Sequence, residues 1–198
     1  MQSDPSTLAF YAAEAKTYVS VRPDGISPHL DAFLDRLMPS ASILELGCGS
    51  GVEAGHMIAR GFAVDPSDGV PAMAQEAEAR LGRPVRIMAF DELDALASYD
   101  AVVANAALLH VPRSALTSIL GRVHRALRPG GWHLASYKAG GTEGRDEHGR
   151  YYNYLAPDDA RRYYAAAGLW SDFEIAESFE GGYFGKPGPW IKVTARKA

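Results

Sequence analysis

The sequence predicts a parallel, doubly wound α/β sheet with helices on both faces. Three observations predict it. Short apolar runs alternate with helical segments of ten or more residues along most of the chain, the pattern that βαβ units produce. A glycine-rich turn, "ELGCGSG" from Glu45 to Gly51, follows the first apolar run and leads into a helical pattern, where doubly wound sheets place their ligand. The last two strand-like segments have no helix between them, so they form an antiparallel pair at one edge.

Each element has its own signal. "TLAFYAAEAKTYVS" reads as an N-terminal helix. "SPHLDAFLDRLM" reads as a second, with Leu30, Phe33, Leu34 and Leu37 at helical spacing and Pro28 in the first turn, where proline is tolerated. "SILEL" is a short buried strand. A helix runs from Val52 to Arg60 and stops at Gly61, a residue suited to the left-handed helix end. "FAVDPS" is the second strand, "PAMAQEAEARLG" the helix after it, "PVRIMAF" the third strand and "YDAVVANA" the fourth. "RSALTSILGRVHRAL" is an amphipathic helix ended by the turn signal "RPGG", and "WHLASYK" is the fifth strand. The helix "PDDARRYYAAAG" precedes the closing strands "SDFEIAESFE" and "WIKVTARK", which a loop rich in glycine and proline joins. The stretch from Ala139 to Tyr154 has little regular pattern, and loops of that length usually carry function or are disordered.

At 198 residues the chain fits one domain, 1–198, with a single core. The net charge of -4 argues against a protein built to grip nucleic acid, which shows a basic excess. A lone cysteine, Cys48, excludes a disulfide within the chain and fits a cytoplasmic setting. The opening residues lack a basic start followed by an apolar core, so no signal peptide is expected. No apolar run reaches membrane-spanning length.

Two ligand classes compete for the glycine turn. The dinucleotide fingerprint requires G-x-G-x-x-G beside a pyrophosphate, and here Val52 stands at the third glycine position. The arrangement E-x-G-x-G-x-G from Glu45 suits a ligand without phosphates, such as S-adenosylmethionine (SAM), whose amino-acid end Glu45 could meet. The plainer reading is a tight strand-to-helix turn and nothing more. A second acid should end the second strand and accept hydrogen bonds from two ribose hydroxyls. Asp65 closes the apolar run, whereas Asp68 fits the longer pattern G-x-x-V-x-x-x-D-x-x-P-x-M from Gly61 to Met73. Asp68 is preferred, although it places Pro66 inside a central strand, where proline is unusual.

With "ELGCGSG", "GFAVDPSDGVPAM", "YDAVVANAALLHVP" and "ALRPGG" in that order, nearly the whole chain resembles the class I SAM-dependent methyltransferases. "FYAAEAKTY" and "EGRDEHGRYYNY" look most like small bacterial members of tellurite-resistance type or of uncharacterised activity. The resemblance implies a seven-stranded sheet of order 3-2-1-4-5-7-6 with strand 7 antiparallel, and SAM as cofactor with S-adenosylhomocysteine as product. It implies that Glu45, Gly47, Cys48 and Gly49 surround the methionine part, that Asp68 and Gly69 meet the ribose and adenosine, that Phe90 and Asp91 meet the adenine, and that Asn105 faces the sulfonium. It also implies that the N-terminal helices, within residues 1–40, cap the site, with Tyr18 able to touch the cofactor and Tyr11 the acceptor; helix-spaced aromatics such as these are more often core.

The place after the fourth strand reads "ANAALLH", unlike the Asn/Asp-Pro-Pro-Tyr/Phe of amino-group methylases of nucleic-acid bases, which points to a small-molecule acceptor. His110 could act as a general base or simply shape its loop. Residues 139–156 form a candidate substrate loop. In and beside it, Lys138, Arg145 and Arg150 could bind an oxyanion or carboxylate, while Tyr151, Tyr152 and Tyr154 could exclude water; a solvated loop with self-paired charges is the competing reading. No metal site is expected. The expected function is SAM-dependent methyl transfer to a small molecule, by a monomer or homodimer. The alternatives are a SAM-binding protein without turnover and, less favoured, an NAD-dependent oxidoreductase.

Overall fold

The structure, a computed structural model, describes residues 3–21, 25–181 and 187–198. Its central sheet consists of β1 (Ser42–Leu46), β2 (Ala63–Asp68), β3 (Arg86–Ile87), β4 (Tyr99–Ala104), β5 (Leu127–Lys138), β8 (Trp170–Gly181) and β9 (Pro187–Lys197). A separate two-stranded hairpin, β6 (Gly144–Arg145) with β7 (Tyr151–Tyr152), lies between β5 and β8 in the chain. The sheet order is β3-β2-β1-β4-β5-β9-β8. β1 to β5 are parallel neighbours, and β9 runs antiparallel to both β5 and β8. Once the small hairpin is set aside, this is the expected 3-2-1-4-5-7-6 arrangement.

β4 shows why the sheet centre reads as unbroken apolar sequence. Val102 and Ala104 join one core cluster and Ala101 and Val103 the other, each fully buried, as follows when helices cover both faces. On one face α5 (Arg113–Ala126) and α6 (Pro157–Ala167) supply Leu116, Ile119, Leu120, Val123, Ala160 and Tyr164. On the other, α2 (Pro28–Leu34) and α3 (Val52–Ala59) supply Leu30, Phe33, Leu34, Ala54 and Met57. α4 (Pro71–Leu81) packs Ala74 and Ala77 against Cys48 and Val85, and α1 (Pro5–Val21) lies over α4 at Val70 and Met73.

Some expectations change. Within residues 1–40, α1 roofs the first cavity and Gly25 and Ser27 line the second, while α2 spends its apolar stripe on the sheet. The third strand is two residues long, with both side chains exposed, because β3 is an edge that pairs only with Ser67 and Asp68. That shortness also accommodates Pro66. Ser67 accepts from Cys48 N on the β1 side and Asp68 from Met88 N on the β3 side, so by strand alternation Pro66 faces β3 where no partner strand reaches. "RPGG" is not a turn: β5 begins at Leu127, which pairs with Tyr99, and the ladder shifts register before Trp132 meets Ala101. Residues 150–153 are buried while 140–143 are exposed, and Arg150 pairs with Asp146 inside the segment. Arg113 donates to the carbonyls of Asn153 and Tyr154, and Tyr151 N donates to Thr7 Oγ1. The centre of the loop between β8 and β9 lies outside the described residues.

Candidate functional site

The glycine turn follows from three positive φ angles, +69° at Gly47, +57° at Gly49 and +74° at Gly51, a region that side-chain-bearing residues avoid. Close approach adds to this at Gly47, where a Cβ would lie 2.7 Å from the Ala107 Cβ and 3.8 Å from the Phe90 ring. The turn therefore presents bare main chain at the carboxyl end of β1. Beside it, Asp68 ends β2. Its Oδ2 accepts from Gly49 N at 3.0 Å and its Oδ1 from Val70 N at 2.8 Å. Burial raises its carboxyl to about 6 in spite of those two donors. Asp65 is engaged elsewhere, by Arg86 at 2.6 Å and the Tyr99 hydroxyl at 2.5 Å.

These groups line a cavity of about 680 Å³, its open mouth included. Gly47, Gly49, Asp68 and Gly69 form its floor, Ala89 and Phe90 one wall, and Asp4, Thr7, Leu8, Tyr11 and Tyr18 of the N-terminal arm and α1 its roof. Asp4 caps α1: Thr7 N and Thr7 Oγ1 both donate to Asp4 Oδ1 at 2.9 Å, with Pro5 in the first turn. Arg145 grips the same carboxylate, at 3.0 and 2.7 Å, and holds Asp4 down to about 2.

A second cavity of about 1180 Å³, its open mouth included, adjoins the first and shares Tyr11, Tyr18, Ala106 and His110 with it. Its other walls include Asn105, Ser136, Lys138, Arg150, Tyr152, Glu180, Trp190 and Lys192. Asn105 is held from two sides, donating to Glu53 Oε1 and accepting from Ser136 Oγ, both at 2.5 Å. At the junction a single hydrogen-bond chain can be assigned. His110 Nδ1 lies 2.6 Å from the Tyr151 carbonyl, which can only accept, so Nδ1 carries the proton. Nε2 then accepts from the Tyr11 hydroxyl at 3.1 Å, and that hydroxyl accepts from Arg150 Nη1 at 3.2 Å. Burial lowers His110 to about 4, so its ring is neutral at pH 7.

Of the residues expected at the site, Gly47, Gly49, Asp68, Gly69, Phe90 and Tyr18 line the first cavity, Lys138, Arg150, Tyr152 and Asn105 the second, and Tyr11 and His110 both. Asn105 thus lines the second cavity rather than the first. Glu45 lies buried beneath the turn and lines neither cavity; the buried Cys48, whose side chain packs with Ala74 and Ala77, and the half-buried Asp91 line neither as well. Arg145 and Tyr151 also fall outside both cavities. Arg145 is committed to Asp4, while the Tyr151 hydroxyl donates to Glu143 and accepts from Arg113 N. Sequence reading missed Ser136, Glu180, Trp190 and Lys192. Their strand positions carry no chemical signal until β5, β8 and β9 come together.

Residues 43–131 match the family model described as a methyltransferase domain. No curated protein matches the chain. Among solved structures, a SAM-dependent methyltransferase of Methanosarcina mazei is 17% identical with a TM-score of 0.74, over 87% of this chain and 98% of that one. The 1,6-didemethyltoxoflavin-N1-methyltransferase of Burkholderia thailandensis, solved with 1,6-didemethyltoxoflavin and S-adenosylhomocysteine, is 22% identical with a TM-score of 0.72, over 98% and 88%. Phosphoethanolamine N-methyltransferase 2 of Haemonchus contortus, solved with SAM, is 17% identical with a TM-score of 0.73, over 94% and 57%. These likenesses show the fold, a Rossmann-like doubly wound sheet, and the methyltransferase-domain match spans β1 to the start of β5. Among the described residues no helix is long and apolar enough to cross a membrane.

Proposed function

We propose that the protein transfers the methyl group of SAM to a small-molecule acceptor. The observation that carries this reading is the meeting of the two cavities at Tyr11, Tyr18, Ala106 and His110. The first cavity fits the adenosyl group. Gly47 leaves room where a side chain would press on Ala107. Asp68, with one lone-pair site on each oxygen already taken, keeps others for a ribose diol. Phe90 and Ala89 form an apolar slot for the base. Bound there, the cofactor supplies an activated methyl group for in-line displacement.

The protein's own part is positioning and exclusion of water, which can lower such barriers by several kcal/mol. His110 is assigned to positioning. Protonating a group that titrates near 4 at pH 7 costs about 4 kcal/mol, so it makes a poor base, but its bare Nε2 fixes the Tyr11 hydroxyl at the junction. The second, wider cavity favours turnover over a SAM-binding protein without activity, which would need no acceptor space. Val52 at the third glycine position argues against a nicotinamide enzyme. The net charge of -4 and the single cysteine support a cytoplasmic enzyme whose acceptor is not nucleic acid. The resemblance to tellurite-resistance-type enzymes makes chalcogen oxyanions candidates to include among acceptors.

Calorimetric titration with S-adenosylhomocysteine and, separately, NAD tests the cofactor. Binding of the first alone is expected, and binding of NAD alone would end this reading. Acceptors are then screened by mass spectrometry for a gain of one methyl group.

A further inference from the structure

Among the described residues, three cations, Lys138, Arg150 and Lys192, line the second cavity with one carboxylate, Glu180. Arg150 is neutralised by Asp146, which accepts from its Nε at 2.9 Å and its Nη2 at 2.7 Å. Lys192 is neutralised by Glu180. Lys138, at the end of β5, is left over. Among the described residues its ammonium meets no carboxylate within ion-pair distance; its contact is the face of the Tyr152 ring, 4.4 Å from the ring centroid. Burial and the nearby Arg150 lower its pKa, against the opposing attraction of Asp146, the response of a cation held in a partly dry place. A half-buried ammonium that no carboxylate contacts directly is costly unless something else pairs with it.

The rest of the wall is aromatic. Tyr11, Tyr18, Tyr152 and Trp190 line the cavity together with His110. Tyr152 stacks on Tyr154 at 5.3 Å and lies 4.6 Å from the His110 ring, centroid to centroid. Such walls favour a flat apolar body over a bare hydrated ion.

We propose that this cavity takes a small organic anion with an aromatic body, its negative group paired with Lys138 and its reacting atom at the Tyr11–His110 junction. The inference rests on the methyl-transfer reading above and specifies the acceptor's class.

The test uses the full chain saturated with S-adenosylhomocysteine and a panel of hydroxy- and aminobenzoates with their matched, uncharged benzamides. Binding is measured by calorimetry and saturation-transfer NMR for the parent, Lys138→Met and Lys138→Arg, with thermal melts to show that each variant is folded. The acids should bind the parent at least about tenfold more tightly than their amides, as one charge-assisted contact implies. Lys138→Met should abolish that gap and Lys138→Arg should keep most of it. Equal binding of acids and amides, no binding by any acid, or a gap that survives Lys138→Met would overturn the proposal. Selenite binding as tightly as the acids would overturn the aromatic part. Binding of S-adenosylhomocysteine, measured first, reports separately on the cofactor reading, so the two can fail independently.

Discussion

Replacing Asp68 tests the cofactor cavity at its most informative residue. The carboxylate has two oxygens, and Gly49 N and Val70 N each occupy one site on one of them. Two ribose hydroxyls can therefore bind without displacing either main-chain donor. A hydrogen bond to a charged group contributes about 1.5–3 kcal/mol, part of which returns when water refills the site. Asp68→Ala should weaken S-adenosylhomocysteine binding by about ten- to a hundredfold. A pH signature accompanies the loss. The empty-site carboxyl titrates at about 6, and two hydroxyl donors favour its charged form, so binding expels a proton below that pH. Affinity in the parent should be flat above about pH 7 and fall about tenfold by pH 5. The variant should show no such fall. Calorimetry at pH 5, 6, 7 and 8, in buffers of different ionisation enthalpy, measures both effects. Unchanged affinity in Asp68→Ala, or the same acid limb in both proteins, would refute the assignment of Asp68 to the ribose.

Three further outcomes are expected. Gly47→Ala should lower the melting temperature and weaken S-adenosylhomocysteine binding more than tenfold, since it adds a methyl 2.7 Å from Ala107 to about 1–2 kcal/mol of left-handed strain. Gly82→Ala, at φ +63° with nothing within 4 Å, should show the strain without the binding loss. Stability should fall as pH drops from 7 to 4.5, before most carboxylates titrate: His110 and His133, both lowered to about 4 by burial, must take up protons on unfolding. Together they cost about 5 kcal/mol over that range, while Asp68, raised to about 6, returns about 2, so urea melts should lose about 3 kcal/mol. Flat stability from pH 7 to 5 would contradict the buried, neutral histidines. Arg145→Ala should release the N-terminal arm from the β6–β7 hairpin, read as faster amide exchange over residues 4–11 in mass spectrometry, and should weaken cofactor binding indirectly because that arm roofs the first cavity; unchanged exchange would show that Asp4 and Thr7 hold the arm without it.

What could be read from the sequence was local. β1, the glycine turn, α3 and α4 fall where apolar runs, Pro71 and the glycines at 47, 49, 51 and 82 place them, because a left-handed φ or a fixed proline φ is settled within a few residues. Asp68 belonged to the same class, as its position is counted along one strand from Gly61. Long-range pairing was not legible. Nothing in "EGRDEHGR" indicates that Arg145 will grip Asp4, 141 residues away, or that Arg150 will be spent on Asp146 rather than on a ligand. Cys48 and Glu45 sit inside the most recognisable motif, yet their side chains are buried. The motif fixes the path of the main chain, while the packing of α4 and the neighbouring strands decides where each side chain goes. The acceptor cavity was the least legible, since Lys192, Glu180 and Trp190 come from an edge hairpin whose alternation reads as ordinary strand.

On the proposed reading, the two cavities interact through charge as well as shape. A sulfonium bound in the first cavity and the Lys138 ammonium in the second would be like charges on either side of the shared junction, where His110 is neutral and Arg150 is paired with Asp146. An anionic acceptor lying between the two would relieve that repulsion and be attracted from both sides. An uncharged acceptor would leave it in place. Methyl transfer breaks the S–CH3 bond and forms the bond to the acceptor atom; the sulfur is left neutral, and the positive charge passes to the acceptor atom and leaves with its proton to solvent. The methylated anion is then left with Lys138 alone, so its hold on the site weakens once that proton has gone. The same arrangement that selects an anion before the reaction therefore favours release of the product after it, and no charged side chain has to move.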